Sequence, residues 1–216
     1  MNKYKYILFD LDGTLTDPAA GITNSVTYAL QKFNITVEDK KALYKFIGPP
    51  LRESFEKYYS FSEEQSKKAV EYYREYFIEK GMFENKVFGE IPGLLENLKK
   101  SDKILFVATS KPTVFAEQIL KHFNLIKYFT YVSGSNLDGT RVKKDEVIKH
   151  IFEECKITDP EKAIMIGDRE HDILGAKKAG IHSIGVLSGY GDKDELERAG
   201  ADYIAETVKD IAKILI

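Results

Sequence analysis

The sequence has 216 residues, of which 43% are hydrophobic and 31% charged, and these values indicate one globular domain or one domain with an insertion. Lysine and arginine total 32 against 34 aspartate and glutamate residues, so the formal net charge of −2 gives no reason to expect nucleic acid or an anionic membrane as a partner. The single cysteine, Cys155, excludes an intrachain disulfide and a cluster of thiolate metal ligands.

The apolar run at the start of the chain, Ile7 to Phe9, stops at Asp10 and is too short to serve as a signal peptide. No other stretch approaches the roughly 20 apolar residues that a membrane-spanning helix needs. The low cysteine content fits a reducing compartment. These features predict a globular protein of the cytoplasm that binds neither a membrane nor nucleic acid.

The first predicted element is a strand at 4–10, with the sequence YKYILFD. The interval that follows contains no convincing strand. It carries helical patterns at 21–33, at 38–46 and after Ser62. The tetrad that begins at Ser62 matches a capping box and predicts the start of a long helix. We therefore expect an all-helical domain at 16–88, inserted into a core formed by 1–15 and 89–216.

After this interval, short apolar runs alternate with helical patterns. The runs that predict strands are 103–109, 130–134, 163–168, 182–187 and 202–206. The patterns that predict helices are 112–123, 145–155, 172–180 and the segment from Thr207 onward. Pro112 suits a first helical turn and Gly180 suits a helix end. Buried strands interleaved with helices predict an α/β fold, a Rossmann-like and mostly parallel sheet with helices on both faces.

Polar side chains stand at the predicted carboxyl ends of strands, which is where open parallel sheets bind their ligands. Asp10, Thr109 and Asp168 each end a predicted strand. Lys144 opens a helix in the same layer. Because these groups converge at one edge of the sheet, together they indicate a site more strongly than any one of them does.

Asp10 and Asp12 lie two residues apart, so an extended backbone directs both carboxylates to the same side. Such a pair repels unless a cation lies between the two groups, and Mg²⁺ prefers a few carboxylates together with water and phosphate oxygens. Asp168 and Asp172, one helical turn apart, would supply further acids. The alternatives are a turn with an Asx cap at Asp12 and a simple helix cap at Asp172.

Thr109 and Ser110 precede a predicted helix start, where hydroxyl and N–H groups bind phosphate well. Either Lys143 or Lys144 could neutralise phosphate charge. The alternatives are a plain helix cap for the hydroxyls and a solvated surface for the lysines. A carboxylate nucleophile, a carboxylate acid, Mg²⁺ and groups that hold phosphate oxygens together indicate phosphoryl transfer.

Four segments resemble, in order, the four motifs of the haloacid dehalogenase (HAD) superfamily. They are DLDGT at 10–14, ATS at 108–110, the lysine before DEVI at 144, and GDREHD at 167–172. The resemblance covers the whole chain, because a helical domain after the first motif is the C1 cap arrangement of that superfamily. IPGLLENL at 91–98, together with GYG and GADYI near the end of the chain, resembles the phosphoglycolate phosphatase-like branch.

The resemblance implies a phosphatase that hydrolyses small phosphate monoesters. Asp10 would attack phosphorus and become an aspartyl phosphate, and Asp12 would protonate the leaving alcohol and then deprotonate the water that cleaves the intermediate. Asp10, the backbone carbonyl of Asp12, and Asp168 would hold Mg²⁺. Asp172 would position a water bound to the metal. Dehalogenases that resemble this chain lack an acid at the position of Asp12, which argues against dehalogenation.

The same resemblance implies that Gly13, Thr109, the N–H of Ser110 and Lys144 bind the phosphoryl group. Lys144 aligns better than Lys143 with the lysine of the superfamily, because it continues directly into the helix.

The cap would exclude bulk water from the site and contact the leaving group. Its predicted loop at 47–55 would face the site, and Arg52 could bind an anionic substrate unless it is ordinary helix surface. The partner is expected to be a small-molecule phosphate ester, as for a phosphoglycolate phosphatase or a 5'-nucleotidase. Pyrophosphate and sugar phosphates remain open as substrates. The chain is expected to be a monomer or a weak homodimer.

Two other functions remain as alternatives. A sugar-phosphate mutase of the β-phosphoglucomutase type would use the same aspartate pair and cap, although no cap residue here specifies a sugar. A phospho-accepting receiver module of a signalling protein would also place Asp, Thr and Lys at strand ends. Such a module needs neither the inserted helical region nor the acids at 168 and 172.

Overall fold

A six-stranded parallel sheet is the centre of the fold in this computed structural model, which describes residues 3–216. The strands are β1 (Tyr6–Phe9), β2 (Thr16–Asp17), β3 (Lys86–Val87), β4 (Ile104–Pro112), β5 (Tyr131–Ser135), β6 (Ala163–Gly167), β7 (His182–Val186) and β8 (Tyr203–Ala205). The main sheet has the order β5-β4-β1-β6-β7-β8, and all its neighbouring strands pair in parallel. The short strands β2 and β3 pair separately.

Helices connect the strands and account for most of the rest of the described chain. The α-helices are α1 (Ala19–Gln31), α2 (Leu51–Tyr59), α3 (Glu63–Tyr76), α4 (Ile91–Lys100), α5 (Thr113–His122), α6 (Lys144–Glu154), α7 (Glu170–Ala179), α8 (Lys193–Ala199) and α9 (Val208–Leu215). Short 3-10 helices occupy Lys40–Phe46, Ile126–Tyr128 and Pro160–Lys162, and a π-helix occupies Phe77–Gly81. As predicted, α7 ends at Gly180, whose φ of +74° lies in the left-handed region.

Both faces of the main sheet are buried, which is why its strands read as continuous apolar runs. In β1, Ile7, Leu8 and Phe9 are all fully buried although successive side chains point to opposite faces. Leu8 belongs to a core cluster to which α6 contributes Val147, Ile148 and Ile151. The predicted fold class, a Rossmann-like parallel sheet with helices on both faces, is confirmed.

The chain divides into two compact units, one of which is Asp17–Lys86, while the described residues on either side of it form the other. The Asp17–Lys86 unit contains α1, α2 and α3. Its aromatic side chains pack against one another. Phe46 and Phe55 are buried with ring centroids 5.1 Å apart, and Phe55 stacks on Phe61. The assignment of this helical unit as a cap remains a prediction.

The capping box predicted at Ser62 is present, with Gln65 as the reciprocal residue, and α3 begins directly after it. The prediction of a loop at 47–55 is wrong in its second half, because α2 begins at Leu51. The Oγ of Ser54 donates a hydrogen bond to the carbonyl of Pro50 in its first turn. The prolines before α2 are compatible with a helix start, since a proline needs no N–H partner there.

Strand β4 is longer than the predicted 103–109, since it continues to Pro112 with an irregular register between Ala108 and Pro112. Thr109 and Ser110 therefore lie inside the strand and not at its end. Helix α5 begins at Thr113, one residue later than predicted, because Pro112 still pairs with Ser135 of β5. The sequence pattern could not show this extension, since it depends on pairing with β5.

Candidate active site

The candidate site lies at the carboxyl ends of β1, β4 and β6, where the strand order of the sheet reverses. Phe9 of β1 is in register with Val107 of β4 and with Ile166 of β6. The N–H of Asp10 donates to the carbonyl of Ile166 at 2.9 Å, which fixes Asp10 at the end of its strand. Asp168 follows Ile166 by two residues, so strand register alone brings two distant acids to one edge.

Three aspartates form a buried group, which we call the acid cluster: Asp10, Asp168 and Asp172. One carboxylate oxygen of each lies within 4.8 Å of those of the other two. Asp172 belongs to this group. Its role as the acid that positions a water bound to the metal remains a prediction. The carboxylate of Asp12 is not a member of the cluster.

Lys144 is the cation that contacts the acid cluster. Its Nζ lies 2.9 Å from Oδ1 of Asp10 and 2.8 Å from Oδ1 of Asp172, and it donates to the carbonyl of Ala108 at 2.8 Å. Burial lowers the pKa of Lys144, but the charges of Asp10 and Asp172 outweigh this effect and raise it above its ordinary value. Lys143 is exposed, so the geometry favours Lys144 over Lys143 as the lysine of the site.

The charges of the acid cluster are incompletely compensated. Burial, followed by the negative charges of Asp172 and Asp10, raises the pKa of Asp168 to about 8. Burial also raises the pKa of Asp172 to about 6, although Lys144 opposes the increase. A carboxyl group that resists ionisation in this way would be stabilised as a carboxylate by a further positive charge.

Asp168 is held in place by the chain on two sides. The Oγ1 of Thr14 donates to its Oδ1 at 3.1 Å, and the N–H of Tyr190 donates to its Oδ2 at 2.8 Å. Gly13 has a φ of +82°, and a Cβ there would lie 2.2 Å from Oδ2 of Asp168. Only glycine fits both the backbone conformation and the space at this position.

Asp12 forms its own ion pair beside the acid cluster. Its Oδ2 lies 2.7 Å from Nζ of Lys111, and both side chains are at least nine-tenths buried. Its Oδ1 is buried and has no hydrogen-bond partner among the described residues. Burial raises the pKa of Asp12, and the charge of Lys111 opposes this effect. Asp12 thus has a different cationic partner from Asp10, and separate roles for the two carboxylates remain a prediction.

The predicted phosphate-binding residues of β4 lie next to these groups. Thr109 is buried, and its Oγ1 accepts a hydrogen bond from the N–H of Lys111 at 3.3 Å. The carbonyl of Ser110 accepts from Oγ of Ser135 at 2.9 Å. Nζ of Lys144 donates to the carbonyl of Ala108, the residue directly before Thr109. A role for Gly13, Thr109 and Ser110 in binding phosphate remains a prediction.

Arg52 lies on α2 in the helical unit and is engaged by two carboxylates. Its Nε lies 3.0 Å from Oε1 of Glu56, and its Nη2 lies 3.1 Å from Oε1 of Glu63. All three side chains are exposed by more than a third. These contacts are typical of a helix surface, and a contact between Arg52 and substrate remains a prediction.

Sequence reasoning missed Lys111, Thr14 and Tyr190. Lys111 stands in the ATSKP segment, where a lysine after a run of polar residues could have been noted as a candidate. Thr14 is the last residue of DLDGT, and its small hydroxyl carried no separate signal. Tyr190 acts through its backbone N–H, which no side-chain pattern can indicate.

The acid cluster suits a hard divalent cation. Its donors are carboxylate oxygens, which Mg²⁺ prefers, and among residues 3–216 no other group of three or more histidine, cysteine or acidic side chains lies close enough together to hold a metal. Burial and the neighbouring carboxylates raise the pKa of Asp168 and of Asp172, so a bound cation would favour their ionised forms. Asp10, Asp168 and Asp172 are therefore the side chains that could hold Mg²⁺.

Comparison with known proteins bears directly on this site. The model of the haloacid dehalogenase-like hydrolase family matches residues 7–186, a span that contains every residue of the acid cluster as well as Lys144. The chain belongs to this family. The family model therefore confirms the resemblance that the four motifs suggested.

Several relatives of this hydrolase carry phosphatase names. A 5'-nucleotidase of Pseudomonas aeruginosa is 49% identical over 90% of this chain and 87% of its own length. The crystal structure of a predicted phosphatase from Clostridium acetobutylicum is 54% identical with a TM-score of 0.95, covering 97% of both chains. Other relatives are named phosphoglycolate phosphatase.

One relative carries a different name. The tyrosine-protein kinase PtkA of Mycobacterium tuberculosis is 33% identical over 97% of this chain and 72% of its own length. The family model and the phosphatase relatives together confirm the predicted enzyme class, a hydrolase of phosphoric monoesters.

Among residues 3–216, no helix has both the length and the apolar character needed to span a membrane.

Proposed function

We propose that this hydrolase is a Mg²⁺-dependent phosphatase that cleaves small phosphate monoesters through an aspartyl phosphate on Asp10. The observation that carries the proposal is the meeting of the acid cluster with Lys144, in a buried position at the carboxyl ends of the parallel strands. Phosphoryl transfer needs a nucleophile, a proton donor and positive charge around the phosphate oxygens, and we assign these roles to Asp10, to Asp12 beside the cluster, and to Lys144 together with bound Mg²⁺.

Asp10 is the proposed nucleophile. Its Oδ1 accepts a hydrogen bond from the N–H of Leu11 at 2.7 Å and lies against Lys144, so the carboxylate has one orientation and Oδ2 is the oxygen assigned to the attack. In the first step a bond forms between this oxygen and phosphorus, and the bond between phosphorus and the ester oxygen breaks. Asp10 is then the mixed anhydride.

Asp12 is the proposed acid and base. It gives its proton to the ester oxygen as the alcohol leaves, and it then takes a proton from the water that attacks phosphorus. The second step breaks the bond to Asp10 and releases inorganic phosphate. The burial that raises the pKa of Asp12 favours the protonated form that the first step requires.

Lys144, Thr109, Gly13 and the N–H of Ser110 are proposed to bind the phosphoryl oxygens. Mg²⁺, when bound by Asp10, Asp168 and the backbone carbonyl of Asp12, with Asp172 beside them, would neutralise phosphate charge during transfer. The family membership of the chain supports this assignment. The helical unit Asp17–Lys86 is proposed to act as the cap, with Arg52 as a residue that could bind an anionic part of the substrate.

The substrate is proposed to be a small phosphate monoester, with nucleoside 5'-monophosphates first and phosphoglycolate second. The order follows the relatives, since the 5'-nucleotidase is 49% identical, whereas the phosphoglycolate phosphatase of Aquifex aeolicus is 30% identical. The experiment is a screen of phosphate monoesters with Mg²⁺, ranked by kcat/KM. Nucleotides should rank highest. A screen that releases no phosphate from any monoester would contradict the proposal.

The covalent intermediate is tested with Asp12→Asn, which keeps the nucleophile but removes the acid and base. We expect turnover of an ester with a good leaving group to fall about 100-fold or more, with labelled phosphate retained on the protein. Retention that requires Asp10 supports the mechanism. A sugar-phosphate mutase would instead return the phosphoryl group to a sugar, and a receiver module would be phosphorylated once without turnover.

A further inference from the structure

The first turn of α7 determines where two members of the acid cluster lie. Asp168 precedes the helix by two residues, and Asp172 is its third residue. The N–H of Arg169 donates to Oδ2 of Asp172 at 3.1 Å, so the two acids are joined through the helix start. A displacement of this turn would move both carboxylates at once.

Glu195, on the neighbouring helix α8, holds this turn by two hydrogen bonds. Its Oε1 accepts from Nε of Arg169 at 2.8 Å and from the N–H of Glu170 at 2.8 Å. The side chains of Arg169 and Glu195 are only 15% and 18% exposed. Glu195 thus binds both the backbone and the side chain at the start of α7, without belonging to the acid cluster.

Glu195 is itself fixed by the segment 189–192, which packs on Asp168. Its N–H donates to Oδ1 of Asp192, the residue that caps α8, at 2.8 Å. Just before this cap, a Cβ on Gly191 would lie 1.9 Å from the carbonyl oxygen of Asp168, and one on Gly189 would lie 2.4 Å from its side chain. The segment therefore lies against Asp168 with no space between, and Glu195 joins it to α7.

We propose that Glu195 is a positioning residue, which holds the start of α7 so that Asp168 stays close enough to Asp10 to bind Mg²⁺ with it, and Asp172 stays beside them. This inference rests on the proposed Mg²⁺ site. Three buried carboxylates repel one another, and a held backbone, together with Lys144, keeps them close before the cation binds. Hydrogen-bond partners of this kind, behind the ligands themselves, typically set metal affinity.

Glu195→Ala tests the proposal, because it removes the acceptor of both hydrogen bonds and leaves the acid cluster intact. Mg²⁺ binding is measured without substrate, by calorimetry and by the rise in Tm with Mg²⁺ concentration. We expect the Kd for Mg²⁺ to increase about tenfold. The kcat at saturating Mg²⁺ should stay close to that of the unmodified protein, since bound metal restores the cluster.

Two further variants make the result specific. Glu197→Ala is the matched control, because Glu197 lies on the same helix, is 54% exposed, and has its Oε1 3.7 Å from Nζ of the exposed Lys193. Its Kd for Mg²⁺ should not change. Glu195→Gln keeps an oxygen acceptor for Arg169 and Glu170 and should recover most of the affinity. An equal loss in Glu195→Gln and Glu195→Ala would assign the effect to charge and overturn positioning by hydrogen bonds.

The outcomes separate this inference from the proposed function. If the unmodified protein binds Mg²⁺ and Glu195→Ala binds it equally well, the positioning role is wrong while the phosphatase proposal stands. A Tm that falls in Glu195→Ala without any change in Kd shows a merely structural contact and also overturns the role. If the unmodified protein does not bind Mg²⁺ at all, both proposals fail.

Discussion

Two acid-rich regions of the described chain differ in how their charges are compensated. In the acid cluster, burial and neighbouring negative charges raise the pKa of Asp168 to about 8. At the start of α9, hydrogen bonds from Lys213 and Thr207 lower the pKa of the surface residue Asp210 to about 2. The same type of side chain is thus shifted in opposite directions.

The difference separates an acid whose ionised form local donors stabilise from acids whose ionised form burial disfavours. Asp210 caps the start of a helix with three hydrogen bonds, from N–H and Oγ1 of Thr207 and from Nζ of Lys213. The acid cluster carries charge that burial disfavours and one lysine only partly offsets. Buried acids with strongly raised pKa values concentrate at functional sites. The contrast with Asp210 therefore favours the acid cluster as the active site.

The largest effect is expected for Asp10→Asn against Asp210→Asn. An amide cannot attack phosphorus, so Asp10→Asn should lower kcat for hydrolysis of p-nitrophenyl phosphate with Mg²⁺ at least about 10⁴-fold, as loss of a nucleophile usually does. Asp210→Asn should leave kcat unchanged. Circular dichroism of both variants controls for folding. Normal turnover by a folded Asp10→Asn protein would contradict a covalent mechanism on Asp10.

The sequence predicted the acids of this site because strand register places them together. Asp10 and Asp168 are separated by more than 150 residues, but both follow apolar runs, and parallel strands place their carboxyl ends together. Lys111 could not be placed, because its contact with Asp12 depends on the irregular end of β4, which tertiary pairing with β5 creates. Backbone donors such as the N–H of Tyr190 leave no trace in residue type.

The next largest effect is expected for Lys144→Met, which removes the cation from the acid cluster but keeps the length of the side chain. Asp10 and Asp172 would remain buried without their partner, and breaking a buried ion pair in this way typically costs about 3–5 kcal/mol of stability. Chemical denaturation without Mg²⁺ measures the change. Lys213→Met removes an exposed partner of Asp210 and should change the free energy of unfolding little.

A stability of Lys144→Met equal to that of the unmodified protein would show that the acid cluster is protonated or solvated and needs no cation. That result would remove the contrast between the two regions. Addition of Mg²⁺ should recover part of the lost stability, because the ion supplies positive charge to the same carboxylates.

Element boundaries were harder to predict than element types, and the helix starts show why. Predicted and observed starts agree where a local signal exists, as for the capping box at Ser62. They differ by one residue at Thr113, where the pairing of Pro112 with Ser135 extends the preceding strand, and by one residue at Lys144. The two-residue strands β2 and β3 are too short for any alternation to be visible.

A smaller effect is expected for Gly13→Ala, compared with Gly180→Ala. Both residues have positive φ, so alanine at either position strains the backbone by about 1 kcal/mol. Only at Gly13 would the new Cβ meet a neighbour, Oδ2 of Asp168, whereas nothing lies within 4 Å at Gly180. Gly13→Ala should therefore lose more stability and also displace Asp168.

The measurements are the free energy of unfolding and the Kd for Mg²⁺ of each glycine variant. Gly180→Ala should show only the loss of stability, with unchanged Mg²⁺ affinity. If Gly13→Ala and Gly180→Ala lose the same stability and both keep their Mg²⁺ affinity, then Asp168 moves aside without cost and is not held as described.

The smallest effect is expected for Asp210→Asn as pH falls. The pKa of Asp210 in the folded chain is about 2, below the ordinary value of 3.8, so its carboxylate stabilises the fold above about pH 4. This contribution is lost as pH decreases toward 2, because the carboxyl group then takes up a proton in the folded chain as well. The difference in Tm between the unmodified protein and Asp210→Asn should therefore be small at pH 6 and decrease toward zero as the pH falls through 2. A difference that grows as the pH is lowered would show that Lys213 and Thr207 do not hold the ionised form, and the surface region would no longer serve as the compensated counterpart of the acid cluster.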